Sequence, residues 1–85
     1  MRITRQIVAD RLGAYLRREL SLEELVDWAE RQMMDGEFES PPGAVRDAVA
    51  RLGLADVRAF GLTWEDCRQL LNDLGFAAEV RIEAA

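Results

Sequence analysis

LSLEELVDWAERQMM, residues 20–34, carries the most complete local folding instructions in this 85-residue chain. Ser21 and Glu24 have the spacing of a capping box, in which the hydroxyl accepts the third helical N–H and the carboxylate accepts the Ser21 N–H. Leu20 before the cap and Leu25 at the fourth helical position have the spacing of a hydrophobic staple. The stretch therefore predicts a helix that begins immediately after Ser21.

The two faces of this predicted helix differ in chemistry. Apolar side chains recur every three or four positions and predict a buried stripe, with Trp28 at its edge. The stripe consists of Leu22, Leu25, Val26, Ala29 and Met33. Acidic side chains crowd the other side, namely Glu23, Glu24, Asp27, Glu30 and Asp35. One face is thus suited to the protein's own core, and the other to a partner.

A first helix is predicted from a Thr4 cap to about Arg18. Its buried stripe consists of Ile7, Val8, Leu12, Tyr15 and Leu16. Gly13 weakens such a helix by roughly 1 kcal/mol relative to alanine, so we expect a close helix crossing there. Because only Glu19 and Leu20 separate the first helix from the second, the two should pack antiparallel.

Two more helices follow. The third is predicted to begin with Ser40 as cap and Pro41 at the first position. Its buried residues are Val45, Ala48, Val49 and Leu52. The fourth should begin at Thr63, with Asp66 completing a second capping box. Its buried residues are Cys67, Leu70, Leu71 and Leu74, and Gly75 and Phe76 close it.

The connections carry their own predictions. Gly36 should end the second helix in a left-handed conformation, and residues 36–43, GEFESPPG, should form the one clear loop. Leu54 should fold back onto the third helix, and Val57 and Phe60 should point inward from a short irregular segment.

The C-terminal stretch changes period. Val80 and Ile82 alternate with charged residues, which predicts a strand that pairs either with residues 1–4 or with a second copy of the chain in a dimer. The predicted fold is mainly α: a compact four-helix domain spanning residues 1–85, with a short C-terminal β-strand.

The chain has a net charge of −5, and its charged residues are unevenly distributed along the sequence. Residues 1–18 hold five arginines and one acid, whereas residues 19–39 hold eight acids and one arginine. Two readings stay open: the first two helices pair their charges along a seam, or the acidic face attracts a basic partner. A single cysteine and the lack of any membrane-length apolar run favour a cytoplasmic protein.

Catalytic and cofactor signatures are missing from the sequence. The chain has no histidine, the commonest general base and metal ligand. Cys67 lies on an apolar stripe and is interpreted as a structural thiol. Ser21, Ser40 and Thr63 are already assigned to helix caps. We therefore expect no enzyme activity, no cofactor and no metal site.

Binding of another protein, with a basic surface, is the function that these patterns favour. The candidate partner-binding residues are Glu23, Asp27, Trp28, Glu30, Glu37 and Phe38. The alternative is a nucleic-acid-binding regulator that uses the arginines of the first helix. The net negative charge argues against a phosphate partner, so nucleic acid is the less favoured class.

Three segments, LVDWAE, RLGLADVRAFGLTWEDC and LLNDLGF, together resemble a group of small uncharacterised bacterial proteins. This resemblance covers residues 15–76 and implies no activity. In size, acidity and short-loop helical organisation, the chain is also similar to small acidic immunity proteins that neutralise bacterial toxins. That second resemblance implies an immunity or antitoxin type of inhibitor. It assigns no binding residue, because the tyrosine pair of nuclease-colicin immunity proteins is absent from this chain, which has one tyrosine.

Overall fold

Four helices and one pair of very short strands make up residues 2–38, 43–57 and 61–77, the part of the chain that the computed structural model describes. In chain order the elements are β1 (Arg2–Ile3), α1 (Arg5–Leu16), α2 (Leu22–Asp35), β2 (Glu37–Phe38), α3 (Gly43–Leu52) and α4 (Trp64–Asp73). The mainly helical architecture with four helices is confirmed. None of the helices in these ranges has the length and apolarity that a bilayer crossing requires.

Both predicted capping boxes are confirmed. At the start of α2 the Glu24 N–H donates to Ser21 Oγ (3.1 Å), and the Ser21 N–H donates to Glu24 Oε1 (3.2 Å). Thr63 and Asp66 make the same reciprocal pair at α4, at 3.1 and 3.0 Å. Each box satisfies backbone donors that the first turn of a helix leaves without partners, which is why these two helices start where the sequence predicts.

The end of α4 is also confirmed. Gly75 has a φ of 91°, a left-handed conformation that glycine adopts without a steric penalty. The Phe76 N–H donates to the Leu71 carbonyl (2.8 Å) and the Gly75 N–H to the Asn72 carbonyl (2.9 Å). These two hydrogen bonds form a Schellman motif, which turns Phe76 back against the core cluster.

The same motif ends α1, but without glycine. Arg18 has a φ of 63° and donates its N–H to the Tyr15 carbonyl (3.1 Å), while the Glu19 N–H donates to the Ala14 carbonyl (2.9 Å). The helix therefore stops at Leu16 rather than at Arg18. The sequence signal was missing because an arginine occupies the position where glycine usually announces this turn.

Gly36 does not adopt the left-handed conformation, so that prediction is wrong. Its φ of −75° and ψ of 149° are extended, because the chain passes directly from α2 into β2. Glycine is needed here for space: a Cβ would lie 2.6 Å from the Gln32 carbonyl oxygen. Gly13 is likewise not at a close helix crossing, since the atoms nearest to a Cβ there belong to Arg17, the residue that caps the end of α1.

The core lies where the stripes of the helices meet, and α2 packs most extensively against α3. Every residue predicted to be buried on α3 is buried, as are Cys67 and Leu71 of α4 and its C-terminal cap Leu74, whereas Leu70 is only half-buried. The full buried cluster comprises Ile3, Val8, Leu12, Leu25, Trp28, Ala29, Val45, Ala48, Val49, Leu52, Cys67, Leu71 and Leu74. Leu20 packs against this cluster, as expected of the apolar residue before the Ser21 cap.

Four residues predicted to be buried are exposed instead. Leu16 and Met33 retain 36% and 37% of their accessible surface, and Leu54 and Val57 each retain 42%. Leu16 is the last residue of α1. In this segment Ala55 is buried, at 2%, although no prediction was made for it. Periodicity identifies the inward side of a helix but not how far the neighbouring elements extend to cover it.

A parallel pair of two-residue strands was not predicted. Arg2 aligns with Glu37 and Ile3 with Phe38, so the predicted loop after Gly36 begins with a strand. Ile3 is completely buried, and Phe38 packs against the core cluster. Three predictions fall outside the described residues: the Ser40 and Pro41 helix start, the inward Phe60, and the C-terminal strand at residues 80–83.

Candidate functional site

The predicted acidic face lies on the exposed side of α2. Glu23, Asp27 and Glu30 are all exposed, at spacings of four and three residues that place them along one side of the helix. Leu25 and Ala29, both fully buried, face the opposite way. We call Glu23, Asp27 and Glu30 the acidic face. None of the three forms an ion pair with another described residue.

The predicted charge pairing between the first two helices is wrong for the described residues. Their ion pairs are Arg17 with Glu19, Arg51 with Asp66, and Arg68 with Glu65. Besides their shared apolar core, α1 and α2 are linked by a cation–π contact, in which the Arg11 guanidinium carbon lies 5.2 Å from the centre of the Trp28 ring. The carboxylates of the acidic face are thus left available for a partner.

Trp28 does not extend the acidic face. It lies in the core with 6% of its surface exposed, on the inner side of α2 and beneath Arg11. The sequence placed the indole at the edge of the apolar stripe, where it could have faced a partner. Its burial and its contact with Arg11 give it a packing role, so Trp28 is left out of the proposed binding surface.

Glu37 and Phe38 lie together in β2 but differ in exposure. Glu37 is exposed, whereas Phe38 is half-buried against the core cluster. The Phe38 ring therefore covers the core instead of being displayed to a partner. Alternation along a strand explains the difference, because successive side chains point to opposite faces.

A shallow apolar groove lies next to the acidic face and was not predicted. It encloses about 500 Å³ and is lined by Glu30, Met33, Met34, Ala50, Gly53 and Leu54; we call it the methionine groove. On the side of α3 the small residues Ala50 and Gly53 lie opposite this end of α2, and Met33 keeps 37% of its surface exposed. Met34 is 82% exposed.

One signal in the sequence indicates that Met33 and Met34 are not both buried, although it does not reveal the groove. Consecutive residues on a helix are about 100° apart, so Met33 and Met34 cannot both lie at the centre of one buried stripe. Glu30 belongs to both surfaces: it is the last residue of the acidic face, and its Cγ would lie 3.9 Å from a Cβ at Gly53. The acidic face and the methionine groove therefore form one continuous surface.

Cys67, Asp66 and Arg51 each make contacts that stabilise the fold. Cys67 is fully buried, and this burial raises the pKa of its thiol to about 11. Hydrogen bonding with the backbone and side chain of Thr63, assisted by Arg51, lowers the pKa of Asp66. Arg51 also donates to the Gly61 carbonyl (3.0 Å), which ties α3 to the start of α4. Within the described ranges, no three metal-ligating side chains come together.

Comparisons with known proteins leave the function to be argued from these surfaces. No protein-family model matches the chain, and neither the curated proteins nor the solved structures include a significant match.

Proposed function

We propose that this chain is a non-enzymatic binding domain that recognises a basic surface of another protein through the acidic face. One observation carries the proposal: three exposed carboxylates follow one side of α2 without an ion pair to any described residue. Unneutralised charges in a row produce a local field that attracts a cationic partner and orients its approach.

Electrostatic arguments favour this role over nucleic-acid binding by α1. Three of the five arginines in the N-terminal segment are already engaged: Arg11 with Trp28, Arg17 with Glu19, and Arg5 with the Phe76 ring at 5.5 Å. The net charge of −5 would also repel the negatively charged backbone of a nucleic acid. No corresponding obstacle opposes a basic protein at the acidic face.

Within this class we propose an inhibitor of the immunity or antitoxin type, acting in the cytoplasm. Four short helices with a net charge of −5 suit a small inhibitor that must find a basic toxin or nuclease quickly. Electrostatic steering raises association rates well above those of neutral surfaces and decreases with salt. Fast, salt-sensitive association is therefore the expected behaviour.

Charge reversal tests the proposal. The probe is a fluorescein-labelled oligoarginine peptide, and its binding to the full chain is followed by fluorescence anisotropy at low and at physiological salt. Combining Glu23→Arg, Asp27→Arg and Glu30→Arg should abolish binding, and the wild-type affinity should fall as salt is added.

The matched control reverses three other exposed acids, through Asp10→Arg, Asp47→Arg and Asp73→Arg on α1, α3 and α4. It changes the net charge by the same amount but leaves the acidic face intact, so most of the binding should remain. Equal loss in both triple variants would show that net charge alone attracts the peptide. Tight, salt-sensitive binding of labelled DNA by the wild type would favour the nucleic-acid alternative.

A further inference from the structure

We infer that the methionine groove is the docking site for an amphipathic basic segment of the partner. In this arrangement, an apolar side chain of the segment inserts beside Met33, Met34 and Leu54. A neighbouring arginine or lysine pairs with Glu30 or with Asp27 one turn away. The inference rests on the proposed function and specifies the partner: its basic residues must accompany an apolar stripe.

The composition of the groove suits an inserted apolar side chain. Single exposed apolar residues are ordinary on protein surfaces, but here Met33, Met34 and Leu54 line one concavity. Methionine is unbranched and adapts its shape to irregular partners, a property that binding surfaces exploit. Ala50 and Gly53 supply a low wall on the α3 side, so the opening is wide enough for a side chain to enter.

Charge complementarity identifies the occupant as basic. Glu30 is the charged residue in the lining of the groove and has no ion pair with a described residue. Asp27 lies three residues earlier, about 4.5 Å along the helix axis. A helical segment that places an apolar residue in the groove would bring side chains one turn away within reach of these carboxylates.

A second copy of the chain fits the groove less well. Two-fold pairing of two grooves would place both Glu30 carboxylates at the same apolar contact, and like charges at an interface oppose association. A basic segment neutralises Glu30 while it covers the methionines. The charge pattern therefore selects a different protein over self-association.

Two labelled peptides of identical composition test the inference on the full chain. Both contain only leucine and arginine; one places its leucines at helical spacing to form a stripe, and the other scatters them. The striped peptide should bind about tenfold more tightly, because only it can present an apolar anchor beside its charges. Combining Met34→Ala with Leu54→Ala should remove this advantage and leave the affinity of the scattered peptide unchanged.

Leu16→Ala is the control, since Leu16, the last residue of α1, is about as exposed as Leu54 and lies beside the start of α2, away from the methionine groove. It should change neither affinity. Amide resonances of Ala50 and Gly53 should shift on titration with the striped peptide. Circular dichroism verifies that each variant is folded.

The possible results separate the inference from the proposed function. If both peptides bind equally, and reversal of the acidic face abolishes both, the groove inference is overturned and the acidic face stands. If reversal of the acidic face changes neither affinity, the proposed function fails, and the inference fails with it. Concentration-dependent self-association of the wild type that Met34→Ala and Leu54→Ala abolish would assign the groove to a second copy instead.

Discussion

Arg18 closes α1 in a backbone conformation that disfavours every residue with a Cβ, and replacing it with glycine should stabilise the protein. Its φ of 63° lies in the left-handed region, and both hydrogen bonds of the Schellman motif depend on that conformation. The side chain is exposed. Arg18→Gly therefore changes the backbone preference, and the only other loss is the exposed side chain with its charge, which Arg18→Ala removes as well.

The expected difference in stability between glycine and alanine at this position is the sum of two opposing effects. The left-handed conformation costs an L-residue roughly 1–2 kcal/mol. Glycine also increases the conformational entropy of the unfolded chain, which lowers the free energy of unfolding by roughly 0.4–1 kcal/mol. Arg18→Gly should thus be more stable than Arg18→Ala by about 1 kcal/mol, which raises the melting temperature by about 4–8 °C in a domain of this size.

Alanine is the right reference because both substitutions remove the arginine charge near the end of α1, where it interacts favourably with the helix dipole. Urea denaturation of the wild type and the two variants measures the free energies of unfolding. Gly75→Ala, at a φ of 91°, supplies the reverse experiment and should destabilise by a similar amount. Equal stability of Arg18→Gly and Arg18→Ala would refute the left-handed assignment.

Three further predictions concern stability and reactivity. Ser21→Ala should lower the free energy of unfolding by about 1 kcal/mol; an unchanged urea midpoint would show that the capping box contributes nothing. A thiol reagent at pH 8 should label Cys67 slowly in the native state and quickly in denaturant. Because burial raises the thiol pKa to about 11, thiolate should form in the folded protein only at higher pH than in the unfolded chain, and rapid native labelling at pH 8 would contradict the buried assignment. Gly13→Ala should stabilise α1 by about 1 kcal/mol, since the flexible Arg17 side chain can move away from the new methyl group; a lower urea midpoint would reveal packing against Gly13.

The helix starts were predictable because their determinants are local. A capping box joins residues three positions apart, so Ser21 with Glu24, and Thr63 with Asp66, can be read directly from the sequence. The buried stripe of α3 was predictable for a similar reason, since residues three and four apart share a helix face. The acidic face followed from the same periodicity.

Features that depend on two distant segments were not predictable. The methionine groove exists because small residues of α3 and its following turn lie opposite the end of α2, a juxtaposition that no local pattern encodes. A two-residue strand such as β2 is too short for alternation to identify. At Arg18 the local rule itself misled, because tertiary context imposed a conformation that the residue type does not favour.

The pairing of β1 with β2 has a consequence for the order in which the structure opens and closes. It joins Arg2 to Glu37, positions 35 residues apart. Closing a loop of this length costs conformational entropy, so we expect the strands to pair only after the two intervening helices have formed. With only two aligned residue pairs, its backbone hydrogen bonds should open before those of the helices, although full detachment would also expose the buried Ile3. The residues of the methionine groove lie outside this pair. Opening of this pair therefore leaves the groove-lining residues in their own elements.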